Sequence, residues 1–287
     1  MAENQRWQAI PTQLDLAAFE QFVLPHLSPG SRGPAPKLSL HKIFNYILKH
    51  MYLGCQWKEL AIDKDGEGSV EIHYTRIYRT WRRWVGNGFI DAIFAGSVSR
   101  LHQDGLLDTT VIHGDGTTTA AKKGGDNLGF SGHKKVKGDK VVAFCDRHCN
   151  VIAPFVSASG NRNESPLLLE ALPEVMRISR EVGLDLQGTI VSLDVVYDCE
   201  PPPDLQTAAW FPTSTPIRAA ESSRSEAASR SSSRPSSKSA SGRSSGCLPW
   251  EDKFRRLLLR FERISGLHYA FKTLAYTMIN LRHYCQI

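Results

Sequence analysis

The sequence predicts an α-helical N-terminal region followed by an α/β domain. Three observations carry that expectation. Apolar residues recur at helical spacing up to about residue 103. Between residues 109 and 193 the pattern changes to short runs of strand period broken by one long helix. From residue 250 onward the spacing is helical again. The chain has 287 residues, 41% of them hydrophobic and 22% charged, which is enough apolar surface for a sizeable core and excludes a chain disordered throughout or a fibrous repeat. No apolar run reaches the roughly 18 residues of a membrane span, and the start Met-Ala-Glu-Asn-Gln-Arg has no signal-peptide pattern, so a cytoplasmic protein with no membrane partner is expected. A net charge of +6 leans toward a polyanionic partner. Six cysteines in this length do not make a disulfide framework.

In chain order, Leu40, Ile43, Phe44, Ile47, Leu48 and Met51 form one helical stripe after a Pro/Gly/Ser-rich loop at 28–36. A second helix is expected over 74–84, with Ile77, Trp81 and Trp84 on one face and Arg76, Arg79 and Arg83 on another, Arg82 nearby. A third covers 89–101. Strands are expected at 109–113, 140–144 and 151–156, the last two joined by the turn 146–150. Residues 163–182 return to helical spacing, and 188–193 form a short, nearly continuous apolar strand suited to burial in a sheet. Phe254, Leu257, Leu258, Phe261 and Ile264 predict one C-terminal helix, and Phe271, Leu274, Met278 and Leu281 another.

One segment fits none of this. From Arg218 to Gly246 there is no Val, Ile, Leu, Met, Phe, Trp or Tyr, and 13 of the 26 residues from Glu221 to Gly246 are serine. Such a stretch cannot bury enough apolar surface to offset its chain entropy, so disorder is expected over 200–249.

Two predicted strands end in a carboxylate, Val111-Ile-His-Gly-Asp115 and Ile190-Val-Ser-Leu-Asp194. Acids at the ends of buried strands pack poorly but are well placed to hold a hard divalent cation, which takes oxygen ligands and often only one or two carboxylates plus substrate phosphates. Taken singly, each Asp reads more readily as a turn or capping residue; the pair is the informative feature. Cys145, His148 and Cys149 have metal-ligand residue types, but no second ligand pair follows at zinc spacing, and core or hairpin cysteines are the expectation. Gly124-Gly125 lacks the Gly-Lys-Ser/Thr of a phosphate-binding loop.

The ordered combination of His113-Gly-Asp-Gly-Thr117, Gly129-Phe-Ser-Gly-His-Lys-Lys135 and Leu193-Asp-Val-Val-Tyr-Asp198 resembles the DDE-type transposases of bacterial insertion sequences, specifically the insertion-sequence-five group. Gly54-Cys-Gln-Trp-Lys58 followed by Tyr78-Arg-Thr-Trp-Arg-Arg-Trp84 looks like that group's helical DNA-recognition region, and Trp250-Glu-Asp-Lys-Phe-Arg-Arg256 looks like the helix behind its third acid. The likeness covers about residues 38–199 and 250–285. It implies a helix-turn-helix-like DNA-recognition region over 1–103, an RNase H-like catalytic domain over 104–199 completed by C-terminal helices over 250–287, and Mg²⁺- or Mn²⁺-dependent cleavage and joining of DNA at the element's terminal inverted repeats, carried out by a homodimer on DNA. Asp115 corresponds to the first acid and metal ligand and Asp194 to the second, with Asp198 the weaker match. The resemblance assigns DNA contacts to Arg76, Arg79, Arg82 and Arg83 on their helix, and to His133, Lys134, Lys135 and Lys137 near the metal site; alone, either group reads as a solvated basic surface.

The third acid departs from the pattern. The family has a Glu five residues before the Trp matched by Trp250, and here that place holds Ser245; Val195 also stands where the family has glycine nearby. Written in one permissible set of codons, residues 206–218 read from the third base spell Asn-Arg-Gly-Met-Val-Pro-Asn-Ile-Asn-Pro-Asn-Pro, a connector of the family's kind. Residues 244–249 read the same way spell Glu-Arg-Val-Leu-Ala and restore the Glu in place. A coding sequence with compensating frameshifts near residues 200 and 249 is therefore expected, giving a transposase impaired by loss of its third acid. The alternatives are a catalytically inactive DNA-binding remnant and a stand-alone nuclease that cuts without strand transfer.

Overall fold

The computed structural model describes residues 8–27, 38–193 and 248–285. Asp194, Asp198, Ser245 and nearly all of the Ser-rich segment lie outside them. Within the described residues the chain is a mixed α/β structure of six α-helices and one six-stranded sheet.

The first four helices are local consequences of their sequences. Helix α1 (Leu16–Phe22) starts at Asp15, whose side chain accepts the Ala18 N–H at 2.7 Å. Helix α2 (Leu40–Leu53) starts at Ser39, which accepts from Lys42, and ends at Gly54 with φ +68. Glycine is required at residue 54 twice over. The backbone is left-handed there, and an added Cβ would stand 3.0 Å from Arg255 Cβ, where the C-terminal segment crosses. Helix α3 (Tyr74–Gly86) buries Ile77, Trp81 and Trp84, and α4 (Phe89–Gln103) buries Ile93, Phe94, Val98 and Leu101.

The sheet contains β1 (Val111–Ala121), β2 (Gly129–Ser131), β3 (Val136–Cys145), β4 (Val156–Ser159), β5 (Ile190–Leu193) and β6 (Leu259–Arg260). β3 is antiparallel to β1, β2 and β4, whereas β5 and β6 run parallel to β1. Helix α5 (Glu164–Val182) carries the chain from β4 to β5. Strand alternation divides the core. Ile112, Val142 and Phe144 pack with Leu167, Leu168, Leu172 and Val175 of α5, while Ala143, between two of them, joins the larger helical core of Phe44, Trp81, Phe94 and helix α6 (Ser265–Leu281). With both faces covered, β3 is buried from Gly138 to Cys145, which accounts for its near-continuous apolar run.

Three elements differ from expectation. β1 does not end at Asp115 but continues through Thr117-Thr-Thr119, β-branched residues that suit a pleated sheet, to pair with β6. The strand expected over 151–156 is a single bridge at Val151, and the regular strand begins only at Val156. Pro154 has no N–H to give a ladder, and Asn280 of α6 takes both Val151 backbone groups at 2.9 Å. The helix expected over 254–264 is replaced by 3-10 turns at Leu248–Lys253 and Arg255–Leu257 followed by β6. Only Phe254 and Leu257 of its apolar stripe are buried; Leu258, Phe261 and Ile264 are exposed. Arg260 sets the backbone here. Its buried guanidinium donates to the Glu262 carbonyl, the Asp126 carbonyl and Asp126 Oδ1 at 2.8–3.0 Å, and Lys122 N–H binds the Arg260 carbonyl at 2.9 Å.

Candidate functional site

Asp115 is the fifth residue of β1 and lies opposite Ala143 of β3. Directly paired residues project to the same face, so Asp115 shares the face on which Ala143 meets the helical core. Its carboxylate is half-buried and accepts the Gly116 N–H at 2.7 Å. On its other side, among the described residues, β1 pairs in parallel with β5 from Val111 to Gly114, with Gly114 level with Leu193.

The opposite face at this point carries an acid that sequence reasoning missed. Glu164 opens helix α5, and a Cβ placed on Gly116 would come within 2.9 Å of its Cδ. Its carboxylate pairs with Lys140 at 3.0 Å, and Lys140 also donates to the Arg162 carbonyl at 2.9 Å. The available signal, a glutamate after Asn163 at a helix start, reads as complementing the helix dipole; only the missing side chain at Gly116 shows how close it comes to β1. Among the described residues no three His, Cys, Asp or Glu side chains converge as a metal-binding set. Asp115 retains the chemistry of a hard-cation ligand, an oxygen donor within the central strand.

The two basic groups lie apart. Arg76, Arg79, Arg82 and Arg83 are all exposed on α3, opposite its buried tryptophans, and none takes part in an ion pair among the described residues. Arg82 lies over the Tyr78 ring at 6.0 Å. His133, Lys134, Lys135 and Lys137 are exposed around the β2–β3 hairpin. Asp115 is level with Ala143, six residues along β3 from Lys137, which at roughly 3.3 Å per residue puts the hairpin about 20 Å away. The structure does not bring those lysines beside Asp115. Cys149 lies in the turn after β3 with φ +61, and the neighbouring Cys145 thiol together with burial pushes its own thiol up.

A second constellation, also missed, lies where the far half of the sheet meets α6. Asp139, Glu251 and Glu262 face Arg256, Arg260 and Lys272, with His268 among them, all with side chains almost wholly buried. Lys272 Nζ binds Glu251 Oε1 at 2.8 Å, and Arg256 donates to Glu262 Oε1 through both Nε and Nη2. Asp139 lies 3.8 Å from Arg260 and 3.9 Å from His268. Three acids and three permanent cations balance, and burial keeps His268 low and neutral although Glu262 and Asp139 pull the other way. Burial pushes Glu262 up, but His268 and Arg256 outweigh it and hold the carboxyl at about 2. Glu251, the acid nearest to position 245 among the described residues, is thus committed to Lys272.

No protein-family model, curated protein or solved structure matches this chain. No helix among the described residues is long and apolar enough to cross a membrane.

Proposed function

We propose that the chain is an insertion-sequence transposase of the DDE type, with an RNase H-like α/β part and a helix-turn-helix-like N-terminal region, whose catalytic site is incomplete as written. The carrying observation is the register of β1 and β5. A half-buried carboxylate stands on the central strand, one residue past the point where Gly114 pairs with Leu193 of the parallel neighbouring strand, and the sequence places a second aspartate directly after Leu193. A second carboxylate brought beside Asp115 would suit a divalent ion and a phosphate. Asp115 and Asp194 would hold Mg²⁺ or Mn²⁺, which when bound supplies Lewis-acid activation of water or a 3′-hydroxyl. The exposed arginines of α3 would position the DNA backbone without reading its sequence. The partner is DNA carrying the element's terminal inverted repeats, bound by a homodimer.

A specific observation favours the second reading, an inactive DNA-binding remnant: Ser245 offers no charge at the third acid's place, and Glu251 is held by Lys272. Supercoiled-plasmid nicking in Mg²⁺, run beside gel shifts on DNA flanking the gene, separates the readings. Binding with weak nicking supports the impaired transposase, binding with no nicking supports the remnant, and cutting without joining indicates a nuclease. Failure to bind any DNA overturns the proposal.

A further inference from the structure

Strand β3 ends at Cys145, and the chain doubles back at once. The Asp146 N–H binds the Asn150 carbonyl at 2.9 Å, the Cys149 N–H binds the Asp146 carbonyl at 3.0 Å, and the Ile152 N–H binds the Phe144 carbonyl at 3.1 Å. Cys145 itself bridges to Val151 in antiparallel fashion. These bonds close a tight turn over 146–149, of the kind that holds its ends within roughly 7 Å. Cys149 is therefore returned beside Cys145, where an extended strand would carry it about 13 Å away at roughly 3.3 Å per residue. Its thiol meets that of Cys145 within hydrogen-bonding reach. Cys149 also sits in left-handed backbone, φ +61, where glycine or asparagine is the ordinary choice; a glycine there would bring no sulfur to the contact. The two thiols differ in access, Cys145 being 0% exposed and Cys149 half-buried.

The turn between them seats the chain just past α6. Arg282 donates to the His148 carbonyl at 2.6 Å, and His283 Nε2 meets Asn150 Oδ1 at 2.8 Å. Asp146 accepts the N–H groups of Asp108, His148 and Asn150 at 2.7–3.0 Å. We infer that Cys145 and Cys149 form a redox modification site, closing reversibly to an intramolecular disulfide with a low-molecular-weight disulfide as oxidant. The Cys149 sulfur, the accessible one, loses its proton and attacks one sulfur of oxidised glutathione. That S–S bond breaks, and one glutathione leaves as a thiolate and takes up a proton. The Cys145 sulfur then loses its proton and attacks the Cys149 sulfur, expelling the second glutathione in the same way. The protein gives up two electrons, and the small disulfide is reduced to two thiols. Contact with Cys145, and then burial, keep Cys149 protonated at neutral pH, so the first step is slow there and answers a sustained oxidising medium. A link at a strained turn belongs to the labile, regulatory kind of disulfide. Closing it draws Cys149 inward and moves the backbone of His148 and Asn150, on which Arg282 and His283 rest.

Trypsin provides the test, because Arg147 lies between the two cysteines. After digestion the peptides Val141–Arg147 and His148–Arg162 stay joined only through this disulfide. The full chain is incubated with oxidised glutathione at about pH 8.5, near the ordinary thiol range, quenched with N-ethylmaleimide and digested without reductant. At partial oxidation the joined pair should be the first internal disulfide that mass spectrometry detects, and dithiothreitol should return both peptides as thiols. In Cys149→Ser, Cys145 should take up glutathione roughly tenfold or more slowly than Cys149 does in the parent, since a buried thiol without its entry partner is inert. Absence of the joined pair overturns the site, whether the thiols stay unmodified, glutathione remains on Cys149, or either cysteine pairs elsewhere first. Undiminished uptake by Cys145 in the variant overturns the assigned order of attack.

Discussion

Asp115 is flanked by two glycines that serve its surroundings: Gly114 is buried, and Gly116 leaves room for Glu164 on the opposite face. If Asp115 belongs to a cation site, ion binding must stabilise the fold by mass action, in proportion to RT ln(1 + [L]/Kd). Titration with Mn²⁺ should therefore raise the thermal midpoint of the full chain, and Asp115→Asn, nearly isosteric but uncharged, should abolish the rise. An equal rise in both proteins would remove Asp115 from the site. The α3 arginines are tested by salt. Arg79→Ala with Arg83→Ala should weaken duplex binding and flatten its dependence on salt, since each lost phosphate contact removes roughly 0.9 from the log–log slope. Unchanged affinity and slope would return them to a solvated face. The exposure of these arginines was legible because the helix period alone shows which way they project, whereas Asp115 was read as a strand end and lies inside β1. Glu164 was not legible, because its nearness to β1 depends on a side chain that Gly116 lacks.

Elements were legible where one face meets one core. Helices α2, α3 and α4 follow their apolar stripes closely. Residues 254–264 carry a stripe as regular, yet form turns and a two-residue strand, because buried Arg260 needs carbonyls and Asp126 as acceptors and the edge of β1 needs a partner. Polar tertiary bonds overrode local periodicity, and no pattern within the segment announces them. The same seam should respond strongly to mutation. Lys272→Met leaves Glu251 charged and buried with no cation, which should cost about 3–5 kcal/mol. Adding Glu251→Leu should recover most of that, because the desolvation of both charges is then removed. A double variant no more stable than the single one in urea unfolding would show that the uncompensated charge of Glu251 is not what the single variant loses. Acid should loosen the seam in two stages. Burial, with Arg256 adding, holds His50 at about 3, and His268 is also held low by burial. Below about pH 6.5 the unfolded chain binds protons that the fold refuses, so each group removes about 1.4 kcal/mol of stability per pH unit. Glu262, low in the fold, adds stability above its ordinary range that is lost as pH falls from about 4.5 toward 2. The urea midpoint should thus fall between pH 7 and 5, and His50→Phe, which can keep the stack on Trp57, should flatten the fall. A midpoint constant over that range would contradict neutral burial of the two histidines.

At the scale of the whole molecule, the chain as written should not carry out strand transfer, and restoring one reading frame between residues 200 and 249 should recover it. Two-metal phosphoryl transfer needs carboxylates enough to hold both ions roughly 3.5–4 Å apart with positions left for the scissile phosphate. On the proposed reading Asp115 and Asp194 would supply two, and the hydroxyl of Ser245 adds no charge. The acids that remain on the described chain near this place are already engaged. Glu164 pairs with Lys140, and Glu251 pairs with Lys272 inside the protein. The turn that carries Glu251 is itself anchored. Lys253 donates to the Ile10 carbonyl, and the Trp250 ring takes the Arg282 guanidinium at 5.0 Å. Moving Glu251 to a metal would break that seat and strand Lys272 without its acid, at the few-kcal/mol cost of an uncompensated buried charge. Ser245→Glu alone should rescue little, since it replaces one ligand and leaves the rest of the proposed frameshifted connector, about residues 200–249, as it stands. The repaired frame changes both together and should give Mg²⁺-dependent joining of element ends to a target plasmid well above the parent's. Sequencing the locus checks the premise, because the alternative frame must spell the connector and the Glu. Strong strand transfer by the unrepaired chain would overturn the claim and would require Glu251 or Asp198 to complete the site.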